Sequence, residues 1–377
     1  MIIETPVLRD YSKFGVIAPL LSDHTINDIL INGYNDIYIE REGVLSKTDI
    51  VFESEKEVHE LAHYIVKLVG RTLEESRPMV DARLADGSRV NIIAPPLAVD
   101  GTTISIRKFA PKKRSLNDMV NQGCMSEAMC EFLKLAAICR MNILISGGTG
   151  SGKTTLLNAI SNHINDWERV VTIEDAAELQ LQRAHVVRLE SQPAILGMNP
   201  KEEVTIRDLV KNALRMRPDR IILGEVRGAE AFDMLQAMNT GHEGSLATIH
   251  ANHPRDALMR LDNIVSMANV NASIRSVRTQ VASAIHLIIQ VSRQGNGSRR
   301  ISFISEIAGM EGDMITMNEL FNCSKEGNNV GVALSTDGIF KWTGVMPRCL
   351  RRVAYYGELD RLSKALGVRI PKVQANM

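Results

Sequence analysis

Apolar and polar positions follow two different rhythms along this chain. Up to about residue 108 the apolar runs are short and separated by turn residues. INDILING (26–33) and DIYIERE (36–42) flank Gly33-Tyr34-Asn35, DARLADGSRVNIIAPP (81–96) reads as two strands around Asp86-Gly87, and GTTISIRKF (101–109) as another. Between them Val58, Leu61, Ile65 and Leu68 recur at helical spacing. Ser54 and Glu57 read as a capping box, the hydroxyl and the carboxylate each satisfying an open backbone N–H, and Gly70 as the terminator. The pattern predicts a small α+β domain over 1–108, with a helical extension over 1–25. The charged, Pro-containing segment 109–116 (FAPKKRSL) reads as a hinge.

From 117 onward, helical segments alternate with continuous apolar runs: MNILISG (141–147), RVVTIED (169–175), HVVRLES (185–191), DRIILGE (219–225), GSLATIH (244–250) and AIHLIIQV (284–291). Strands buried on both faces of a parallel sheet have this appearance. The expected fold class is therefore α/β, with a mostly parallel sheet over 117–298. RQGNGS (293–298) reads as a turn, and 299–377 as a C-terminal subdomain with a hairpin-like region and a basic helical tail (350–367).

Composition narrows the function classes. The 377 residues are 45% apolar, enough for two or three domains with proper cores. Charge is balanced, 44 basic against 44 acidic, and aromatics are only 4%, which opposes nucleic acid as an obligate partner. Five cysteines, an odd number without a C-x-x-C pair, read as reduced thiols of a cytosolic protein. The first residues lack a basic stretch followed by an apolar core, so no signal peptide is expected. The run Phe14–Leu21 is far shorter than the ~20 residues that would span a bilayer.

The chemistry begins at MNILISGGTGSGKTT. Gly147, Gly148, Thr149, Gly150, Ser151, Gly152, Lys153 and Thr154 fit G-x-x-x-x-G-K-[ST], with Thr155 following. Glycines let successive N–H groups turn onto phosphate oxygens, and the following helix adds its positive end. Lys153 would reach the β- and γ-phosphates of ATP, and Thr154 would hold Mg²⁺. Glu174, Asp175, Glu178 and Glu225 end or follow predicted strands, where a parallel sheet presents its ligands. Glu225, after Gly224, stands where many such enzymes have an Asp, and reads as a second Mg²⁺ residue, directly or through water. TGHEGSLATIHANH (240–253) holds three histidines. It is not a complete H-E-x-x-H, so a zinc site with Glu243, His250 and His253 ranks behind other readings.

GGTGSGKTT (147–155), TIEDAAELQL (172–181) and LRMRPDRIILGEVRGAEAFDMLQAMNTGHEGSLATIHAN (214–252), in this order and spacing, resemble the type II/type IV secretion ATPase superfamily. Within it the chain resembles the CpaF/TadA-type ATPases of Tad (Flp) pilus machines. The resemblance runs from Asn27 to Val291, about 70% of the chain, and includes SRPMVDARLADGSRVN (76–91). It implies a PAS-like N-terminal domain and a RecA-like P-loop domain on a mobile linker. It also implies a homo-hexameric ring, Mg²⁺-dependent ATP hydrolysis in the cleft between domains, and attachment to the inner membrane through platform proteins. Lys153 and Thr154 become the Walker A pair, Glu174 to Glu178 the acidic box, Glu225 the Walker B glutamate, and 240–253 the His box, with His242 and His250 near the γ-phosphate. N-terminal-domain arginines are implied on the phosphates: Arg107 is the first choice, Arg83 and Arg89 the second.

Other roles stay open. Either Glu225 or Glu178 orients the attacking water. Arg140 is a candidate for the base side of the nucleotide, and Arg217, Arg220 and Arg227 for subunit contacts. Thr248 is a candidate relay from His250. Where relatives carry an arginine after the RLE phrase this chain has Ser191-Gln192, so no phosphate contact is expected there. The absence of a four-cysteine module favours the Tad branch over the type II branch. The expected function is an ATPase that powers pilus assembly, with retraction left open beside it. The rivals are a DNA-transfer ATPase and a nucleotide-gated scaffold with little turnover.

Overall fold

The computed structural model describes residues 11–41, 43–74, 76, 78–109, 114–192, 203–268, 273–323 and 340–371. They belong to two compact units, Met1–Lys112 and Lys113–Met377. Residues 1–10 of the expected helical extension and 110–113 of the expected hinge lie outside the described residues.

In the first unit a 3-10 turn (Ser12–Ile17) and helix α1 (Ala18–Ser22) precede six strands: β1 (Ile26–Asn32), β2 (Ile37–Arg41), β3 (Val44–Lys47), β4 (Met79–Arg83), β5 (Arg89–Ile93) and β6 (Thr103–Arg107). Helix α2 (Glu55–Leu68) lies between β3 and β4 in the chain. The sheet is antiparallel throughout, in the order β3-β2-β1-β6-β5-β4. Its inward positions, such as Ile29, Ile31, Val90, Ile92, Ile104 and Ile106, share one core with Val58, Leu61, Ala62, Ile65 and Val66 of α2 and with Phe14, Ile17 and Leu21. Two local expectations need correction. Leu68 is 44% exposed, and Ala62 and Val66 complete the buried face in its place. The Ser54 side chain makes no capping bond, and Glu57 accepts instead from the Glu53 N–H, one residue further out.

The second unit is built on nine strands. β7 (Ile143–Gly147), β8 (Val170–Glu174), β9 (Val186–Glu190), β10 (Arg220–Val226), β11 (Leu246–Ile249) and β12 (Leu287–Arg293) are parallel, in the order β12-β7-β11-β10-β8-β9. Successive residues feed opposite faces. Ile143 and Ile145 pack against α3 (Leu116–Asn121), α4 (Glu127–Ile138) and α5 (Lys153–Ser161). Leu144 joins the core of α6 (Ile206–Ala213), α7 (Glu230–Asn239), α8 (Pro254–Ala268) and α9 (Ile274–Ala284). Burial on both faces is why these strands read as unbroken apolar runs. β9 is the exception: at the sheet edge it is only half-buried.

Antiparallel β13 (Arg299–Glu311), β14 (Met314–Cys323) and β15 (Phe340–Trp342) extend the same sheet beyond β12. Helices α10 (Leu350–Tyr355) and α11 (Leu359–Leu366) put Val353, Leu362 and Leu366 into the core that holds α4. The described part of 299–377 thus has no core of its own, in place of the separate subdomain expected. All five cysteines are free thiols. Among the described residues no helix is long and apolar enough to cross a membrane.

Candidate nucleotide site at the carboxyl ends of the parallel strands

The segment from Gly147 to Thr154 links β7 to α5. Gly150 (φ 67°) and Gly152 (φ 99°) adopt the left-handed backbone that reverses the chain at little steric cost. Gly147 is fixed by crowding instead, because a Cβ there would meet the Val291 carbonyl at 2.5 Å and the Ser151 hydroxyl. Ser151 closes the loop by donating to Gly148 O at 2.9 Å. Lys153 folds back over it, its Nζ donating to Gly147 O (3.0 Å) and Gly148 O (2.9 Å). Burial of this ammonium lowers its pKa, opposed by the nearby Glu225 carboxylate. Thr154 and Thr155 follow in the first turn of α5, where open N–H groups and the helix dipole favour an anion. Glycine backbone, lysine and helix start together form a cradle that fits a phosphate chain. The Thr154 hydroxyl and the Glu225 carboxylate are hard oxygen donors of the kind Mg²⁺ takes.

Beside the cradle, β10 and β11 deliver a charged chain of contacts. His250 Nε2 lies 2.8 Å from Glu225 Oε1, and Lys153 Nζ lies 3.5 Å from His250 Nδ1. Burial and the Lys153 charge hold the His250 pKa down. A ring with its proton on Nε2 donates to Glu225, and Lys153 Nζ lies about equally far from both ring nitrogens, 3.4 Å from Nε2. Arg227 donates to Glu225 at 2.6 Å and to Asp175 at 2.9 Å. The Thr248 hydroxyl donates to Gly224 O at 2.6 Å, tying β11 to β10 just before Glu225.

Glu174 and Glu178 differ in kind. The Glu174 carboxylate is buried at the end of β8 and accepts from the N–H groups of Glu178 and Leu179, both at 3.0 Å. Burial pushes its pKa up to about 7, partly offset by those two bonds. Gly224 leaves room for it, since a Cβ there would stand 2.8 Å from Glu174 Cγ. Glu174 thus shapes the backbone that carries Glu178, whose own side chain is half-buried.

Three expected residues lie at the other end of the sheet. Arg140 precedes β7 and donates to Glu168 (2.9 Å) and Asp219 O (2.8 Å). Arg220, fully buried, donates twice to Glu168 at 2.7 Å, which rules it out as an exposed subunit contact. His242 precedes β11, its carbonyl accepting from Ser245, while Asn142 at the start of β7 binds the Gly244 N–H at 2.7 Å. Within one chain, therefore, neither Arg140 nor His242 is brought to the phosphate cradle. His253 packs on Phe303, and among the described residues no cluster of three or more His, Cys, Asp or Glu is placed to hold a metal ion.

In the N-terminal unit the three arginines form a line. Arg83 pairs across the sheet with Arg89, Arg89 with Arg107, Arg107 with Asp28, and Asp28 with Glu40. Directly opposed residues share a face, and like charges in that position repel, so the row of three arginines is held at an electrostatic cost. Arg107 is 62% exposed and 3.2 Å from Asp28, whose pKa burial raises against the pull of Arg107. Arg89 reaches Asp81 at 3.4 Å.

Two residues at the cradle were not foreseen. Arg299, opening β13, donates from Nε to Gly150 O at 3.0 Å, and its cross-strand partner Arg293 lies 3.8 Å from the Cβ position of Gly150. Their pairing at a hairpin mouth was the available signal. Ser191 donates to Asp175 at 3.3 Å and Gln192 bridges to Val204.

A family model described as "Type II/IV secretion system protein" matches residues 10–329. A candidate conjugal transfer protein of Mycobacterium tuberculosis is 35% identical over 305 residues, 79% of this chain and 85% of that one. The conjugal transfer protein TrbB of Rhizobium radiobacter is 34% identical over 299 residues, 78% of this chain and 86% of that one. The X-ray structure of the Legionella pneumophila ATPase DotB covers 75% of this chain and 77% of its own at 23% identity, with a TM-score of 0.55, a likeness of fold. The general resemblance read from the motifs is upheld, while the names of these relatives point to conjugal transfer and not specifically to Tad pili. By the extent of the model match and the identity to relatives of similar length, the chain belongs to the type II/IV secretion system protein family.

Proposed function

We propose that this chain is a Mg²⁺-dependent ATP hydrolase that works as a homo-hexameric motor, peripheral to the inner membrane, and drives a secretion or pilus machine through membrane platform proteins. The observation that carries the reading is the continuous contact chain Lys153–His250–Glu225–Arg227 beside a glycine cradle. Bound ATP with Mg²⁺, held by the loop, Thr154 and Glu225, supplies the phosphoryl group that is transferred to water.

The chain's own groups do the rest. Lys153 exchanges its two carbonyl partners for phosphate oxygens. Glu225 orients the water, and Glu178 is the alternative carboxylate for that role. His250 links the two sides: it lies against Lys153 and bonds Glu225, so lysine movement toward phosphate changes its charge surroundings, and Thr248 passes the shift to β10. Arg83, Arg89 and Arg107 are the N-terminal unit's contribution to anion binding.

Two machines remain as cargo. The motif phrases favour Tad-type pilus assembly, and the conjugal relatives favour DNA transfer. Balanced charge and few aromatics oppose direct DNA contact. The test is steady-state ATP hydrolysis over a protein concentration series, with and without duplex DNA. The proposal expects a rate per subunit that climbs with concentration and ignores DNA. DNA stimulation would select the transfer reading. Background turnover at every concentration, with tight ATP binding, would replace the motor by a nucleotide-gated scaffold.

A further inference from the structure

A cavity of about 340 Å³ opens at the amino end of the larger sheet, away from the phosphate cradle. Arg348, Arg351, Arg352, His286, Glu306 and Cys349 line it. Its size is at the lower end of small-ligand pockets, roughly 300–1,000 Å³.

Hydrogen-bonding capacity decides what such a cavity can hold. His286 accepts at Nδ1 from the Asn142 N–H at 2.9 Å. Burial, with Arg352 beside it, pushes its pKa down to about 4. The neutral ring therefore keeps its proton on Nε2 and is a donor there. Glu306 is the one acid of the lining, and its two oxygens are engaged by the N–H groups of Arg348 (2.7 Å) and Cys349 (2.9 Å). Arg352 donates to both oxygens of Glu243, at 2.8 and 3.0 Å, and to Arg140 O at 3.0 Å. Among the described residues the side chains of Arg348 and Arg351 make no hydrogen bond or ion pair. The lining thus has donors and positive charge in excess, and its acceptor is already engaged.

We propose that this cavity binds a small, multiply charged oxyanion, a phosphorylated or polycarboxylated small molecule, gripped by Arg348 and Arg351. The position gives the site a connection. Arg352 joins the cavity to Glu243, the residue before the Gly244–Ser245 turn into β11, and β11 ends at His250 beside the cradle. A bound anion competes with Glu243 for Arg352 and so acts on the strand that carries His250.

The test is calorimetric titration of the full-length chain with pyrophosphate and, separately, citrate. It is done in a Lys153→Ala background that weakens the phosphate cradle, with and without Arg348→Ala/Arg351→Ala. Both arginines are largely exposed, and circular dichroism checks that the variants fold. The proposal expects Lys153→Ala to keep a salt-sensitive pyrophosphate site that weakens at least ~10-fold on loss of the two arginines. Citrate competing for the same site would mark recognition by charge alone, and its failure to compete would mark phosphoryl geometry; both outcomes uphold the site. Loss of all pyrophosphate binding in Lys153→Ala alone, or equal binding without the arginines, would overturn it.

Discussion

At the carboxyl ends of β10 and β11, Glu225, Arg227 and His250 gather beside Lys153 at the cradle, and their side chains are 17%, 60% and 30% exposed. At the amino ends of β7, β8 and β10, Arg140, Glu168 and Arg220 make a similar-looking cluster, yet the Glu168 and Arg220 side chains are fully buried and Arg140 is 17% exposed. In the buried cluster three arginine N–H groups reach Glu168, a closed arrangement that holds strands together. At the open end the contacts are shared, and Lys153 spends its donors on backbone carbonyls that a phosphate can replace. Charge that is enclosed and paired holds the fold, while charge that is accessible and exchangeable is available for chemistry.

Breaking the enclosed cluster should have the largest effect on the fold. Arg220→Met leaves Glu168 buried with Arg140 and Asn165 as its remaining partners, and should cost ~3–5 kcal/mol in denaturant unfolding. An unchanged midpoint would mean that the cluster is not closed in solution.

Glu174 lies between the two kinds, buried but at the open end. Its pKa is pushed up to about 7, so the native state holds this proton more tightly than the unfolded chain does. The associated stability is complete below about pH 4.5 and is lost as pH rises through about 7. Glu174→Gln keeps an acceptor for Glu178 and Leu179 and removes the titration. Between pH 4 and 8 the stability difference should move in favour of the variant by about 3 kcal/mol, read as melting temperature against pH. Parallel pH profiles would show Glu174 to be ionised at no cost.

A smaller effect is expected of Arg299→Ala. It removes the bond to Gly150 O and should weaken ATP binding ~10-fold, about 1.4 kcal/mol. Arg299→Lys should fail to restore it, because a lysine cannot repeat the Nε–H geometry. Full rescue by lysine would reduce the contact to simple charge.

Much of this contrast was legible in the sequence. The parallel strands, edge strand β9 excepted, announced themselves as apolar runs because both of their faces are covered, and the phosphate loop was clear from strand, glycines and helix together. The same rule of strand direction, applied to what precedes a strand, also sends Arg140 and His242 to the far end. The motif grouping, which treats 240–253 as one box, hid that. The turn at 293–298 was readable and sets Arg299 opposite Arg293, but the bond from Arg299 to Gly150 spans 149 residues and no local pattern encodes it. Capping was missed for a simpler reason: the boxes that form, Ser115 with Asp118 and Thr205 with Asp208, use aspartate where glutamate was sought.

The most direct test compares one carboxylate from each end, Glu225→Gln and Glu168→Gln, in ATP turnover and unfolding free energy measured on the same preparations. The account predicts that Glu225→Gln loses at least ~100-fold in turnover with its stability kept, and that Glu168→Gln loses several kcal/mol of stability while its folded fraction turns over within about threefold of the wild type. Wild-type turnover in Glu225→Gln, or abolished turnover in a fully stable Glu168→Gln, would contradict it.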